Sequence, residues 1–285
     1  QKEMLDVRAL EKLELPLKNE PELKSWNEFL FRLKNPVSEV NIALVGKYVE
    51  LKDAYKSIAE AFIHAGAANT CKVNVDWIHS EKLLDDNVYE LLSHYDGILV
   101  APGFGERGFE GKINAVRIAR ENKIPFFGIC LGMQCCVVEF ARHVLGFKEA
   151  ASTEMNKETP YPVIDMMEEQ KKITQKGGTM RLGAFECSIK PGTKAAMAYG
   201  ATSISERHRH RFEFNSKYKQ DFESAGMIPV GINPQSGLVE IVEIQDHPWF
   251  VGVQFHPELK STVLNPHPLF VDFIKAALDY SKNKL

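Results

Sequence analysis

No stretch of this 285-residue chain approaches the roughly 20 apolar residues a membrane-spanning helix needs, and its N-terminus lacks the features of a secretory signal. Neither sign of charge dominates. Lys and Arg total 35 against 38 Asp and Glu, a formal net charge of -3, with the cations spread among the acids. This argues against a nucleic-acid binder and leaves only local basic sites. Cysteine is scarce: five residues at irregular spacing, without a C-x-x-C pair, suggest neither a disulfide framework nor a zinc knuckle. A reducing, cytoplasmic setting is expected, with no membrane, nucleic-acid or metal partner. The chain starts at Gln1 in a polar, helical-looking stretch and is expected to be a piece of something longer.

What is present is an ordinary globular composition, able to bury one large core or two modest ones. Buried-strand runs at 40–46, 73–78, 96–101 and 124–129 alternate with helical patterns at 54–64, 83–92, 112–121 and 131–146. Strands separated by helices imply right-handed crossovers, so the fold class is α/β, with a central mostly parallel sheet covered by helices on both faces. Segments 179–189 and 207–214 read as strands of more antiparallel character, forming a smaller sheet. Segments 238–244 and 249–255 form a hairpin, and 269–278 a closing helix. The polar stretch 152–178 reads as a mobile loop or lid. Residues 1–36 read as a linker with a docking helix, opened by Pro21 and striped with Leu23, Trp26, Leu30 and Leu33; capping the domain's own core is the alternative. The main domain is 37–285.

The organising stretch is Ile124-Pro125-Phe126-Phe127-Gly128-Ile129-Cys130-Leu131-Gly132-Met133-Gln134. Strand, sharp turn and helix force a residue at the tip out of the sheet edge, and flanking glycines remove side chains that would collide there. Cys130 would sit at the positive end of a helix, where a thiolate is stabilised. A buried packing cysteine is the commoner fate, and Cys71, Cys135, Cys136 and Cys187 are read that way. The loop Pro102-Gly103-Phe104-Gly105-Glu106-Arg107-Gly108 lacks the Gly-Lys-Ser/Thr ending of a phosphate loop. Its use is exposed backbone N–H groups: those of Gly103 and Leu131 could stabilise an oxyanion, although a tight turn would explain the glycines equally well. His256-Pro257-Glu258 follows the last strand, and two residues on an extended segment two apart point the same way. Cys130, His256 and Glu258 then supply nucleophile, base and orienter for acyl transfer. In 206–212 the period of two puts Arg207, Arg209 and Arg211 on one face and His208 and His210 on the other; with no third ligand at sensible spacing, metal is not expected.

The Cys130 motif with the later His256-Pro257-Glu258 resembles the class I, triad-type glutamine amidotransferases. Asp53-Ala54-Tyr55-Lys56-Ser57, Phe104-Gly105-x-Arg107-Gly108, Ser152-Thr153-Glu154, Gly177 to Gly183 and Glu206 to Phe212 resemble, within that family, the members that aminate UTP. The resemblance implies hydrolysis of L-glutamine through a thioester on Cys130, with ammonia passed to an N-terminal synthetase domain. That domain would hold ATP, Mg and UTP, and this one no cofactor. GTP is implied as an activator, with Arg107 and the lid as candidate contacts, and a homotetramer as the assembly. By motif, Gly103, Leu131, Gly132, Met133 and Gln134 would contact glutamine, Glu154 its α-amino group and Arg211 its α-carboxylate. One acid and one bidentate cation suit a zwitterion. The family usually has Pro-Gly-Gly-Phe-Gly where this chain has Ala101-Pro102-Gly103-Phe104-Gly105. Pro102 has no N–H, so the loop's oxyanion role falls to Gly103. Rival readings are a free-standing cysteine hydrolase or peptidase on the same scaffold, and a non-catalytic module with Cys130 as a redox sensor. A grip on both ends of a free amino acid, Glu154 and Arg211, would separate them.

Overall fold

The apolar runs become the middle of a single sheet in the computed structural model, which describes residues 3–16, 22–84, 86–166 and 180–284. The strands are β1 (Ser38–Gly46), β2 (Cys71–His79), β3 (Gly97–Val100), β4 (Phe126–Ile129), β5 (Ala151–Ser152), β6 (Pro162–Met166), β7 (Arg181–Ile189), β8 (Ser203–His210), β9 (Phe212–Phe214), β10 (Met227–Ile232), β11 (Val239–Ile244) and β12 (Phe250–Val253). The α-helices are α1 (Leu5–Lys12), α2 (Lys24–Lys34), α3 (Lys56–Ala68), α4 (Val88–Leu92), α5 (Phe109–Glu121), α6 (Leu131–His143), α7 (Lys194–Tyr199), α8 (Lys219–Ala225) and α9 (Pro268–Lys284).

Nine strands form the main sheet in the order β2-β1-β3-β4-β12-β11-β10-β7-β8. The first five are mutually parallel, and every later neighbour is antiparallel. Alternation along the parallel strands divides the core in two. Ala43, Val45, Phe126 and Phe250 face the layer holding α5 and α6; Ile42, Leu44, Phe127 and Val251 face α3 and α9. Both faces are therefore covered, which is why β3, β4 and β12 can be buried throughout. Helix α4 is shorter than the pattern at 83–92 suggests, preceded by a 3-10 turn at Ser80–Lys82.

The later strands depart from expectation in their pairing. β7 and β8 extend the main sheet, and the small second sheet is β5-β6-β9, in which β5 and β6 run parallel while β6 and β9 run antiparallel. Part of the expected loop is thus strand, because Val163 and Ile164 are wholly buried. The lid expected over the rest of 152–178 lies, from residue 167 onward, outside the described residues. The run 207–214 is interrupted at Arg211, between β8 and β9, so the expected row of three arginines is broken: Arg207 and Arg209 are exposed and Arg211 turns inward. Helix α2 leans on α3 through Phe29, whose ring lies 6.2 Å from that of His64. Of its stripe, Trp26, Leu30 and Leu33 stay exposed. Among the described residues, no helix is long and apolar enough to cross a membrane.

Candidate active site

Strand β4 ends at Ile129, and the chain reverses into α6 through Cys130, whose φ of 52° and ψ of -104° are foreign to an ordinary L-residue. Such a conformation costs on the order of 1–3 kcal/mol and persists only where its surroundings enforce it. They do so here by contact. A Cβ on Gly128 would come within 2.8 Å of the Gly132 backbone, and one on Gly132 within 2.2 Å of the Val100 carbonyl. Strand, turn and helix can approach this closely only through glycine. The Cys130 N–H donates to the Val253 carbonyl at 2.7 Å and its own carbonyl accepts from the Gln134 N–H at 3.2 Å, so the turn is held from both sides.

β12 lies parallel to β4 in the register Val253 to Ile129, and stacking of Phe126 on Phe250 at 4.4 Å fixes that alignment. The register sets Gln254 beside Cys130 and His256 just beyond. His256 is anchored by its backbone N–H, which donates to the Arg207 carbonyl at 2.8 Å. Its Nδ1 meets Glu258 Oε1 at 2.7 Å, and its buried Nε2, without a hydrogen-bond partner of normal geometry, is turned to the Cys130 thiol. Burial alone would lower the imidazole's proton affinity, but Cys130 and Glu258 together outweigh it and push His256 up to about 10. The ring is therefore built to hold a proton beside the sulfur.

The loop after β3 completes the corner. Gly103 packs against the Leu131 side chain, the position of its would-be Cβ lying 3.6 Å from a Leu131 methyl and 3.6 Å from Lys112 Nζ. As the first residue of α6, Leu131 has an N–H with no intrahelical acceptor. The loop is tied down at three points. Lys47 Nζ donates to the Phe104 and Gly105 carbonyls, Glu154 Oε1 accepts from the Gly105 N–H at 2.9 Å, and Lys112 Nζ donates to the Ala101 carbonyl at 2.6 Å. Lys112 is wholly buried, which lowers its ammonium to about 8. A cavity of about 310 Å³ opens here, lined by Lys47, Tyr48, Asp53, Gly103, Arg209 and His256 among others. A larger one of about 580 Å³ lies beside Trp249 and Asp272, at the opposite end of the strands, and touches none of these groups.

The expected site residues gather at this edge, with differences in what they offer. Leu131 and Met133 bury their side chains in the core, and Gly132 presses on β3, so these three can present only backbone. Gln134 is buried, its amide donating to the Phe212 carbonyl at 3.1 Å and to Gln254 Oε1 at 3.3 Å. That places Arg211, the residue before Phe212, near the start of α6, and Arg211 Nε is buried without a hydrogen-bond partner among the described residues. Glu154 stands at the Gly103 loop. His208 and His210 do not turn to the cleft: they hydrogen-bond each other at 2.8 Å inside a cluster with Arg181, Glu213 and Glu240. Among the described residues no group of three or more His, Cys, Asp or Glu is arranged to hold a metal ion. Sequence reasoning passed over Lys112 and Gln254. The available signal was a charged or amide residue at a position whose periodicity demands burial.

An elbow cysteine joined through strand register to a His–Glu pair is the frame of a class of proteins. The chain belongs to the class I glutamine amidotransferases: the family described as Glutamine amidotransferase class-I matches residues 50–276. Within that family it matches the CTP synthases at high identity. It is 68% identical over 283 residues to the CTP synthase of Cytophaga hutchinsonii and 64% over 280 residues to that of Flavobacterium johnsoniae, covering 99% and 98% of this chain. The chain spans about half the length of these curated relatives, 52% in each case. Among solved structures, the Trypanosoma brucei CTPS glutaminase domain with bound acivicin is 37% identical at a TM-score of 0.79, over 84% of this chain and 94% of that one. What the chain matches is the glutamine amidotransferase domain of the CTP synthases, their glutamine-hydrolysing half.

Proposed function

We propose that this domain hydrolyses L-glutamine at Cys130 and delivers the ammonia to a synthetase domain of the same polypeptide. The Cys130 thiolate attacks the side-chain amide carbon, and the carbonyl oxygen, now an oxyanion, takes the N–H groups of Gly103 and Leu131. His256 gives its proton to the departing nitrogen, ammonia leaves, and a glutamyl thioester remains. Water then yields a proton to His256 and attacks the thioester carbon. Glutamate departs, and the thiolate and imidazolium are restored. Glu258 holds the ring by Nδ1 and favours its charged form. The backbone at Gly132 and Met133, the Gln134 side chain, Glu154 on the α-amino group and Arg211 on the α-carboxylate bind the substrate, which separates this reading from a peptidase.

The ammonia would aminate UTP to CTP, with ATP and Mg held by the synthetase domain. Residues 1–36 would lead from that domain, and the full enzyme would assemble as a homotetramer. GTP would activate from the cleft side through Arg107, which stacks over Tyr48 at 5.0 Å and pairs with Glu81 at 3.5 Å. Five unpaired cysteines suit a cytoplasmic location.

The observation that carries this reading is the β4–β12 register, which joins Cys130 to His256 across more than a hundred residues. Incubation with acivicin, the compound bound in the Trypanosoma brucei structure, followed by peptide mass mapping, should place one adduct on Cys130. Cys130→Ala should lose ammonia release by a factor on the order of 10⁴. Turnover by that variant at the normal rate would dismiss the mechanism.

A further inference from the structure

Gln254 is a polar residue where the pattern of β12 calls for an apolar one. It is completely buried, in the step between the last strand residue and the catalytic-base segment. A buried amide must be satisfied on both its oxygen and its nitrogen, or it destabilises the core. The surrounding hydrogen bonds leave it one orientation. The Phe212 carbonyl can only accept, so the Gln134 amide must present its NH2 there, at 3.1 Å. The same NH2 reaches Gln254 at 3.3 Å, and the Gln254 atom facing it must be the oxygen. The Gln254 nitrogen is thereby turned to the remaining neighbour, Cys130 Sγ, at 3.7 Å. A backbone carbonyl thus dictates, through two side chains, that a donor faces the nucleophile.

We propose that Gln254 is a further catalytic residue of this centre: its side-chain amide donates a hydrogen bond to the Cys130 sulfur, favouring the thiolate before attack and again when sulfur is expelled from the thioester. This rests on the reading of Cys130 as nucleophile. A thiolate is a far better acceptor than a thiol or a thioester sulfur, so the donor acts selectively on the anion. It is neutral, and so supplies this without a second proton that could titrate. The charged groups around the sulfur are His256, with Glu258 behind it on the segment that follows β12, and Lys112 from α5; the Gln254 amide is the neutral donor among them.

The test follows the rate of Cys130 alkylation by iodoacetamide against pH, in the 285-residue protein, for the wild type, Gln254→Met and Gln254→Glu. Met keeps length and bulk without a donor; Glu keeps shape and replaces the donor by an acceptor. Gln254→Met should move the midpoint of the profile up by about one pH unit, about a tenfold loss of thiolate at fixed pH below it, with the high-pH limiting rate unchanged. Gln254→Glu should move it further. Should either variant fail to fold, Gln134→Leu supplies the same reading, because it frees the Gln254 amide to turn over and should shift the profile in the same direction by less. Profiles superimposable on the wild type in the folded variants would overturn the proposal. Iodoacetamide needs no glutamine site, so the outcome is separable from the glutaminase reading. A wild type that hydrolyses glutamine while Gln254→Met keeps its profile refutes only this role. A wild type that releases no ammonia refutes only the substrate assignment.

Discussion

His256, largely enclosed, and His208, buried, are imidazoles beside a glutamate, at 2.7 Å from Glu258 and 3.5 Å from Glu240, yet their proton affinities are displaced in opposite directions. His256 rises to about 10, whereas His208 falls to about 3 and His210 well below its usual value. Burial pulls all three down. The difference lies in what else competes for the carboxylate. In the cluster under β8, Arg181 pairs with Glu240 at 2.7 Å and Glu213 at 3.6 Å, so the acids are claimed by a guanidinium and the imidazoles meet mainly positive charge. At the active site, among the described residues, no guanidinium pairs with Glu258, and the Cys130 sulfur joins it in favouring the charged ring. The same residue types hold a neutral imidazole in one half of the sheet and a readily protonated one in the other.

The widest expected break in this contrast comes from removing the imidazole at each place. His256→Asn should reduce glutamine hydrolysis by a factor on the order of 10³ without unfolding the protein, since the general acid–base contribution is lost while the elbow is untouched. His208→Asn should leave turnover within a few-fold of normal in the same ammonia-release assay. Equal losses would show that the two clusters do not differ in kind.

Arg181→Met addresses the other half of the comparison. Arg181 is nearly buried, lies 4.3 Å over the Phe185 ring and is the guanidinium shared by Glu240 and Glu213, two acids that burial pushes toward their protonated form. Breaking a buried pair by deleting one partner costs about 3–5 kcal/mol, because the remaining charges stay unpaired until they take up protons. Urea unfolding at neutral pH should register that loss. A change within experimental scatter would mean that Arg181 is not what holds this cluster together.

The two regions also differed in how far the sequence disclosed them. The Cys130 elbow was readable because its constraint is local: Gly128, Cys130 and Gly132 stand at the spacing the turn itself requires. His256 and Glu258 were readable for the same reason, two apart after a buried run. What the cluster under β8 does depends on Arg181, Glu213 and Glu240, three residues that become neighbours through the sheet order β11-β10-β7-β8 and the passage of the chain from β8 into β9. Periodicity placed His208 and His210 on a common face but could not say what that face would meet. The inward turn of Arg211, and the core burial of Leu131 and Met133 in a stretch read as substrate contacts, were hidden likewise. Each depends on which strand ends where.

His247 supplies the intermediate case, a buried imidazole with no carboxylate as hydrogen-bond partner. Its Nε2–H donates to the Ala119 carbonyl at 3.0 Å, and its Nδ1 accepts from the Trp249 N–H at 3.2 Å, so the neutral ring is satisfied at both nitrogens. A second proton would face the Trp249 N–H, with Lys123 and Lys194 adding repulsion. Burial is the largest cause, and with the two lysines it outweighs the backbone hydrogen bonds and lowers the group to about 4 from its usual 6.5. Between those values the unfolded chain binds a proton that the folded one refuses. Stability is accordingly unaffected by this residue above about pH 7 and falls as the pH drops from about 6.5 toward 4, by about 2 kcal/mol between pH 7 and pH 5. His247→Gln, compared with wild type by urea unfolding at both pH values, should remove that part of the pH dependence even if it lowers stability at neutral pH. An unchanged slope would mean that the folded state accommodates imidazolium here without an acid, and that the absence of a free carboxylate is not what separates His208 from His256.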